Sequence, residues 1–248
     1  MKKKILVIGG SGNLGSSLKS NNFFKKQFFP SSKVLNILKK KDIIKFINKH
    51  EIEMVINCAA LARMKECEIK KNKAFNVNVL GSQNLIEVLK KIKYRSIKLI
   101  HISSDAVYPC LNGDYSEKSR TRPYNYYGET KALAEKLVRK YVNHTIIRTR
   151  FFNKKLIKFN TVATDSYSSS LEVNKLVNYI KFLVNKDFIG TINVGGKKIS
   201  DYDLYKKYKK NLKKCLYYDI QKKLNFKISK DASMNCSLLN KLMIKSNV

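Results

Sequence analysis

The stretch KILVIGGSGNLGSSL, residues 4–18, decides how the rest of the chain is read. Ile5, Leu6, Val7 and Ile8 form a short apolar run with no polar face, as expected of a strand covered on both sides. It leads directly into Gly9, Gly12 and Gly15, which open a helix. A tight turn, a close backbone approach to a pyrophosphate and close helix–sheet packing each need a residue without a side chain, and a dinucleotide turn combines all three. Gly9, Gly12, Asn13, Leu14 and Gly15 are therefore the first candidate cofactor-binding residues. The spacing is Gly-x-x-Gly-x-x-Gly, and its plain alternative is a tight strand–helix turn with no ligand. A nucleoside-triphosphate loop would need Lys followed by Ser or Thr after Gly15; Ser16 and Ser17 stand there instead.

Working outward, short apolar runs alternate with helical patterns. EMVINCAA, IKLIHISSD and HTIIRTRFF read as strands, with VLNIL (34–38) as a weaker one. AFNVNVLGSQNLIEVLKKI and ALAEKLVRKY carry apolar residues at helical intervals. This alternation predicts an α/β fold: a Rossmann-type doubly wound parallel sheet with its ligands at the carboxyl ends of the strands. Beyond residue 150 the pattern is looser. ATDSYSSSLEVNKLVNYIKFLV reads as a loop and helix, GTINVGGKKIS as a strand leaving through glycines, and LYKKYKKNLKKCLYYDIQKK as a solvated basic helix and loop. The expected division is a nucleotide-binding body over 1–150 and a small, shortened substrate lobe over 151–248, partly interleaved with it.

The formal net charge is +33, from 51 basic and 18 acidic residues. Only seven of the basic residues are Arg, and Lys is spread over the whole chain. A nucleic-acid surface concentrates charge on one face and favours Arg, so no specific nucleic-acid partner is expected. Such a charge attracts a phosphorylated small molecule in any case. The cysteines at 58, 67, 110, 215 and 236 form no Cys-x-x-Cys pair, and the three histidines lie far apart. No metal site is expected, and unpaired thiols suit a reducing compartment. The first apolar run is too short for a signal peptide and no stretch approaches transmembrane length, so the chain is expected to be cytoplasmic, with no membrane partner.

RPYNYYGETKALAEK, residues 122–136, supplies a candidate proton donor. Tyr127 and Lys131 are one helical turn apart on one face. Tyr94, Tyr202, Tyr205 and Tyr218 also precede a lysine by four, so spacing alone does not select a pair. Context does: KLIHISSD ends in Ser103, Ser104 and Asp105 shortly before Tyr127, and a strand-end hydroxyl can converge with a helix-borne Tyr/Lys pair. A free tyrosine titrates near ~10, and bringing it to about 7 takes roughly 4 kcal/mol, which one cation at about 4 Å supplies at an effective dielectric near 20. Lys131, helped by the positive charge of an oxidised nicotinamide, is thus expected to bring the Tyr127 phenol toward about 7 without unusual burial. Near the expected end of the second strand, FFPSSKVLNI offers no carboxylate for a ribose 2′-hydroxyl. Ser31, with Ser32 and Lys33, suits a 2′-phosphate instead, favouring NADP over NAD.

Together these residues resemble the extended short-chain dehydrogenase/reductases, with the closest likeness to the dTDP-4-dehydrorhamnose reductase family. HISSDAVY is similar to its Ser-Thr-Asp-Tyr-Val-Phe segment, which implies a catalytic role for Ser104 and substrate contact at Asp105. RPYNYYGETKALAE resembles its Tyr-x-x-x-Lys motif, implying catalytic roles for Tyr127 and Lys131, with Lys131 also on the cofactor. INCAALARMKECE resembles the strand and loop beside the cofactor, at Ala59, Ala60 and Leu61, and NVNVLGSQNL the next helix, with Asn78. Weaker likeness through IIRTRFF adds Arg150 as a substrate contact. The chain departs from that pattern in a shorter lobe after RTRFF, in SSSL (168–171), and in Lys65-Glu66. The resemblance implies an NAD(P)H-dependent reductase of a keto-sugar nucleotide, with homodimerisation open. The alternatives are a sugar-nucleotide epimerase or dehydratase on the same fold, and a regulatory subunit that binds the nucleotide without chemistry.

Overall fold

In the computed structural model, residues 3–22, 24, 26–92 and 96–245 are described; Tyr94 lies outside them. Six strands form the central sheet: β1 (Lys4–Ile8), β2 (Lys26–Phe28), β3 (Met54–Asn57), β4 (Lys98–Ile102), β5 (His144–Thr149) and β6 (Gly190–Val194). Their spatial order is β6-β5-β4-β3-β1-β2 and every pairing is parallel. Parallel neighbours need crossovers, and five helices provide the cover: α1 (Asn13–Asn21), α2 (Lys40–His50), α3 (Gly81–Lys91), α4 (Tyr126–Val138) and α5 (Val173–Asn185).

Alternation along β1 shows why both faces are closed. Ile5 and Val7 pack with Leu14, Leu18, Leu176 and Ile180 beneath α1 and α5. Leu6 and Ile8 pack with Ile43, Ile47, Leu85 and Leu89 beneath α2 and α3. Chain direction reverses at β1: one crossover leads out to β2, and the later ones build from β3 toward β6. The ends of β1 and β3 therefore leave a crevice, the switch point at which such sheets bind ligands.

VLNIL is not a strand. The second strand is Lys26–Phe28, and residues 34–38 run through turns. Leu35 and Ile37 are buried all the same, and Ile37 lies where any side chain at Gly81 would stand, so it packs against the start of α3. The basic run after residue 204 also differs from its reading as helix and loop. Lys213–Cys215 pairs in parallel with Thr161–Ala163, with Lys213 and Lys214 exposed on this two-stranded edge; edge lysines discourage further strand addition. Past residue 150, α5 and β6 complete the main sheet layer. Short pairings (Phe151–Phe152 with Leu171–Glu172, and Tyr167–Ser168 with Ile199–Ser200 and Asp231–Ala232) build a lobe over the strand ends. No described helix is long and apolar enough to cross a membrane.

A buried ion pair ties α4 to β5. Arg148 donates to Glu135 through Nε (3.0 Å) and Nη2 (2.7 Å), and through Nη1 to the Tyr108 hydroxyl (2.8 Å). Ser103 donates to the same Glu135 (2.7 Å). Removing one member of such a pair strands the other in the core. Glu135→Ala is expected to cost about 3–5 kcal/mol in denaturant unfolding; a loss below about 1 kcal/mol would mean the pair does not hold the helix.

Candidate functional site

A cavity of about 620 Å³ opens where β1, β3, β4 and β5 end. The first turn contributes Gly9, Gly12, Asn13, Leu14 and Gly15 to its wall. Gly9 has φ +83°, and a Cβ there would lie 2.7 Å from the Ala59 nitrogen, so the turn can press against the exit of β3 only as glycine. Asn13 opens α1, and its side chain accepts from Asn153 Nδ2 (3.1 Å), which links the turn to the lobe.

Ser104 and Asp105 follow β4 in a short 3₁₀ turn whose cap is Ser104 itself. Ser104 Oγ accepts the Ala106 N–H (3.1 Å) and donates to Asp105 Oδ1 (3.1 Å). Against this turn stands α4, begun at Asn125, whose Oδ1 accepts the Gly128 N–H (2.9 Å). A Cβ on Gly128 would lie 2.2 Å from the Ala106 carbonyl, so glycine lets the helix touch the serine turn. Ser104, Tyr127 and Lys131 consequently line one cavity. Tyr202, Tyr205 and Tyr218 do not reach it.

Lys131 is buried. Its Nζ donates to the Ile102 carbonyl (2.6 Å) and lies 3.5 Å from His101 Nε2. Burial pushes the Lys131 ammonium down to about 8, against the pull of Glu135. Burial also pushes the Tyr127 phenol up to about 12, against its hydrogen bond with Ser104. Both groups lose solvation together, so burial favours the neutral form of each.

Asp105 and Arg150 form an ion pair in the cavity wall, Arg150 Nε 2.5 Å from Asp105 Oδ2. Burial raises the Asp105 carboxyl while Arg150 holds it down. The buried Thr149 hydroxyl on the same wall has no hydrogen-bond partner. Unfilled polar atoms in a cavity wall are where a polar ligand binds most usefully.

The remaining expected residues sit around this centre. Ala60 lines the cavity; Ala59 and Leu61 flank it. Asn78 does not line it, but its side chain accepts the Leu61 N–H (2.8 Å) and donates to the Leu61 carbonyl (3.1 Å) and to Thr130 Oγ1 (2.9 Å). It sits in a π-helical turn, Asn76–Leu80, and pins the post-β3 loop to α4. Ser31 lies exposed on the turn after β2, outside the cavity lining. Cys58, Arg63, Met64, Thr149 and Phe151 line the cavity without having been expected there. For Arg63 a signal existed, a lone arginine just past a strand end; for the others none did.

Whether a dinucleotide fits can be tested on these features. The Gly9 approach keeps the turn free of side chains, α1 begins at the cavity with no acidic residue in its first turn, and Arg63 adds a cation. An N-terminal helix end of this kind suits a pyrophosphate. The residues present fit the group. Among the described residues no cluster of three or more His, Cys, Asp or Glu could hold a metal.

A parallel sheet with this switch point and a Ser/Tyr/Lys cavity defines a Rossmann-type α/β protein of the extended short-chain dehydrogenase/reductase kind. The chain belongs to the RmlD substrate binding domain family, whose model matches residues 2–167. It is 30% identical over 154 residues to dTDP-4-keto-6-deoxy-D-glucose reductase of Streptomyces niveus, covering 60% of this chain and 52% of that protein. It is 29% identical over 145 residues to methionine adenosyltransferase 2 subunit beta of Pongo abelii, covering 55% of this chain and 42% of the other. These matches span about half the length of the curated relatives. The fold overlays dTDP-4-dehydrorhamnose reductase of Bacillus anthracis, solved in complex with NADP, at a TM-score of 0.85 and 20% identity, covering 97% of this chain and 93% of that one.

Because Lys131 falls from 10.5 to about 8 on folding, the unfolded chain binds the extra proton between those values. Stability therefore rises with pH across that window, relative to a protein lacking the group, by up to about 3 kcal/mol. Unfolding measured for wild type and Lys131→Met is expected to show the variant ahead at pH ~7 and the gap closing toward pH ~10. A gap independent of pH would show that Lys131 is not desolvated. Gly128→Ala is expected to lose about 1–3 kcal/mol, since the helix must back away from Ala106.

Proposed function

We propose that the protein is an NADPH-dependent reductase of a keto-sugar nucleotide. The observation that carries this reading is the meeting, in one cavity, of Ser104, Tyr127 and Lys131 with the glycine turn. The family and the reductases among its relatives support it. Gly9, Gly12, Asn13, Leu14 and Gly15 would hold the pyrophosphate, Ala59, Ala60 and Leu61 would flank the cofactor, and Asn78 would act by fixing Leu61. Ser31 beyond β2 favours NADP over NAD. When bound, the nicotinamide supplies the hydride.

The chain's own residues do the rest. Ser104 hydrogen-bonds the substrate carbonyl oxygen and Tyr127 gives that oxygen its proton. A phenol held near 12 stays protonated at neutral pH and is still a far stronger acid than the sugar alcohol it creates, so its raised value suits a proton donor. Lys131 holds the nicotinamide ribose. Asp105 and Arg150 bind sugar hydroxyls. A cytoplasmic location and a homodimer belong to the same proposal, the latter tested by light scattering.

NADPH and a dTDP-4-keto-6-deoxy sugar mixed with the protein are expected to show loss of nicotinamide absorbance. Tyr127→Phe is expected to slow it about 10²–10⁴-fold with NADPH binding kept; undiminished turnover would refute the assignment. The likeness to an adenosyltransferase subunit favours one other reading, a nucleotide-binding regulatory subunit. It requires NADPH binding with no turnover on any keto-sugar.

A further inference from the structure

Beneath Lys131 lies a polar chain that neither the glycine turn nor the Ser104–Tyr127 pair needs. Asn57 ends β3 and His101 lies one residue from the end of β4, and both are almost fully buried. Asn57 Oδ1 accepts the Ala59 N–H (3.1 Å), which fixes the amide, so its Nδ2 is the atom 3.3 Å from His101 Nδ1. An amide nitrogen only donates, so Nδ1 is the accepting nitrogen of the ring. Burial, reinforced by Lys131, holds the imidazole well below its ordinary value and therefore neutral. A neutral ring with an accepting Nδ1 carries its one proton on Nε2. Nε2 is the atom 3.5 Å from Lys131 Nζ.

An ammonium has three donors and no acceptor, so the His101 N–H meets it donor to donor. A neutral amine can accept from Nε2 and still donate to the Ile102 carbonyl, 2.6 Å away. We propose that His101, locked by Asn57 with its proton on Nε2, is a positioning residue that disfavours the charged form of Lys131. The other groups facing this pair are few. Lys131 meets Glu135 on its own helix and Cys58 from the segment after β3, and His101 meets His144 from β5. Glu135, which favours the ammonium, also accepts from Arg148 and Ser103. A lysine held this way changes charge inside the working pH range, and turnover carries its imprint. The catalytic consequence rests on the reductase reading; the tautomer does not.

Long-range proton–nitrogen correlation spectra of His50, His101 and His144, assigned by removing one histidine at a time, read the tautomer in the full chain without substrate. The expected result is a neutral His101 with its proton on Nε2 from pH ~5.5 to ~9. A proton on Nδ1, or protonation near the ordinary ~6.5, overturns the proposal. Asn57→Asp supplies the second arm, since a carboxylate accepts from Nδ1 and turns the bare Nε2 toward Lys131. Its Lys131 titration, followed by carbon-labelled lysine spectra and by the pH profile of kcat/KM, is expected to rise by about one pH unit or more. Asn57→Asp with His101→Phe keeps the new charge and removes the ring; an equal rise there overturns the role of His101. A protein that shows the tautomer but no turnover would sink the reductase reading alone.

Discussion

The parallel pairing of β1 with β3, and the contact between Gly9 and Ala59 that it allows, is the constraint on which the site depends. Two strands leaving in the same direction at the switch point cannot both carry bulky residues past their ends without closing the crevice. Gly9 resolves this with a left-handed turn that an L side chain would strain. The loop after β3 then runs close enough to α4 for Asn78 and Thr130 to fasten it. The same stacking of parallel ends carries β4 into Ser104 and β5 into Thr149 and Arg150, so polar residues from four strands meet without any long loop.

Burial has opposite effects on the two titratable members of this site. Desolvation favours the neutral form of each, so the phenol holds its proton more tightly while the ammonium holds its own less tightly. Both shifts suit a centre that must give up a proton only when negative charge develops on a neighbouring oxygen. The large positive charge of the chain plays no part in this local balance, since most of the lysines lie on the surface. A net charge of this size acts at longer range, attracting anions to the molecule as a whole.

Much of the fold was legible because its signals are local. Residues 5–8 are apolar on both faces, the glycines sit where the strand must turn, and the alanines and leucines of α4 follow a helical interval. The strand assigned to VLNIL failed because Leu35 and Ile37 are apolar for a different reason: both join the core from a turn, and Ile37 covers Gly81. Ser104, Tyr127 and Lys131 could be named from context, but the burial that shifts both the phenol and the ammonium was not legible, since sequence does not report desolvation. Asn57 and His101 were invisible as partners of Lys131: they lie 44 residues apart from each other and 30 or more from the lysine, and only the register of β3 against β4 joins them.

The central claim is that the glycine turn and the Ser104–Tyr127–Lys131 group serve a single hydride transfer. NADPH carrying deuterium at the transferable position of its nicotinamide, incubated with the protein and a dTDP-4-keto-6-deoxy sugar, tests it most directly by mass spectrometry of the sugar product. The account predicts one deuterium bound to the reduced carbon with wild type and a product yield lowered to background with Tyr127→Phe. A sugar recovered unlabelled, with the deuterium still on the nicotinamide, would contradict it.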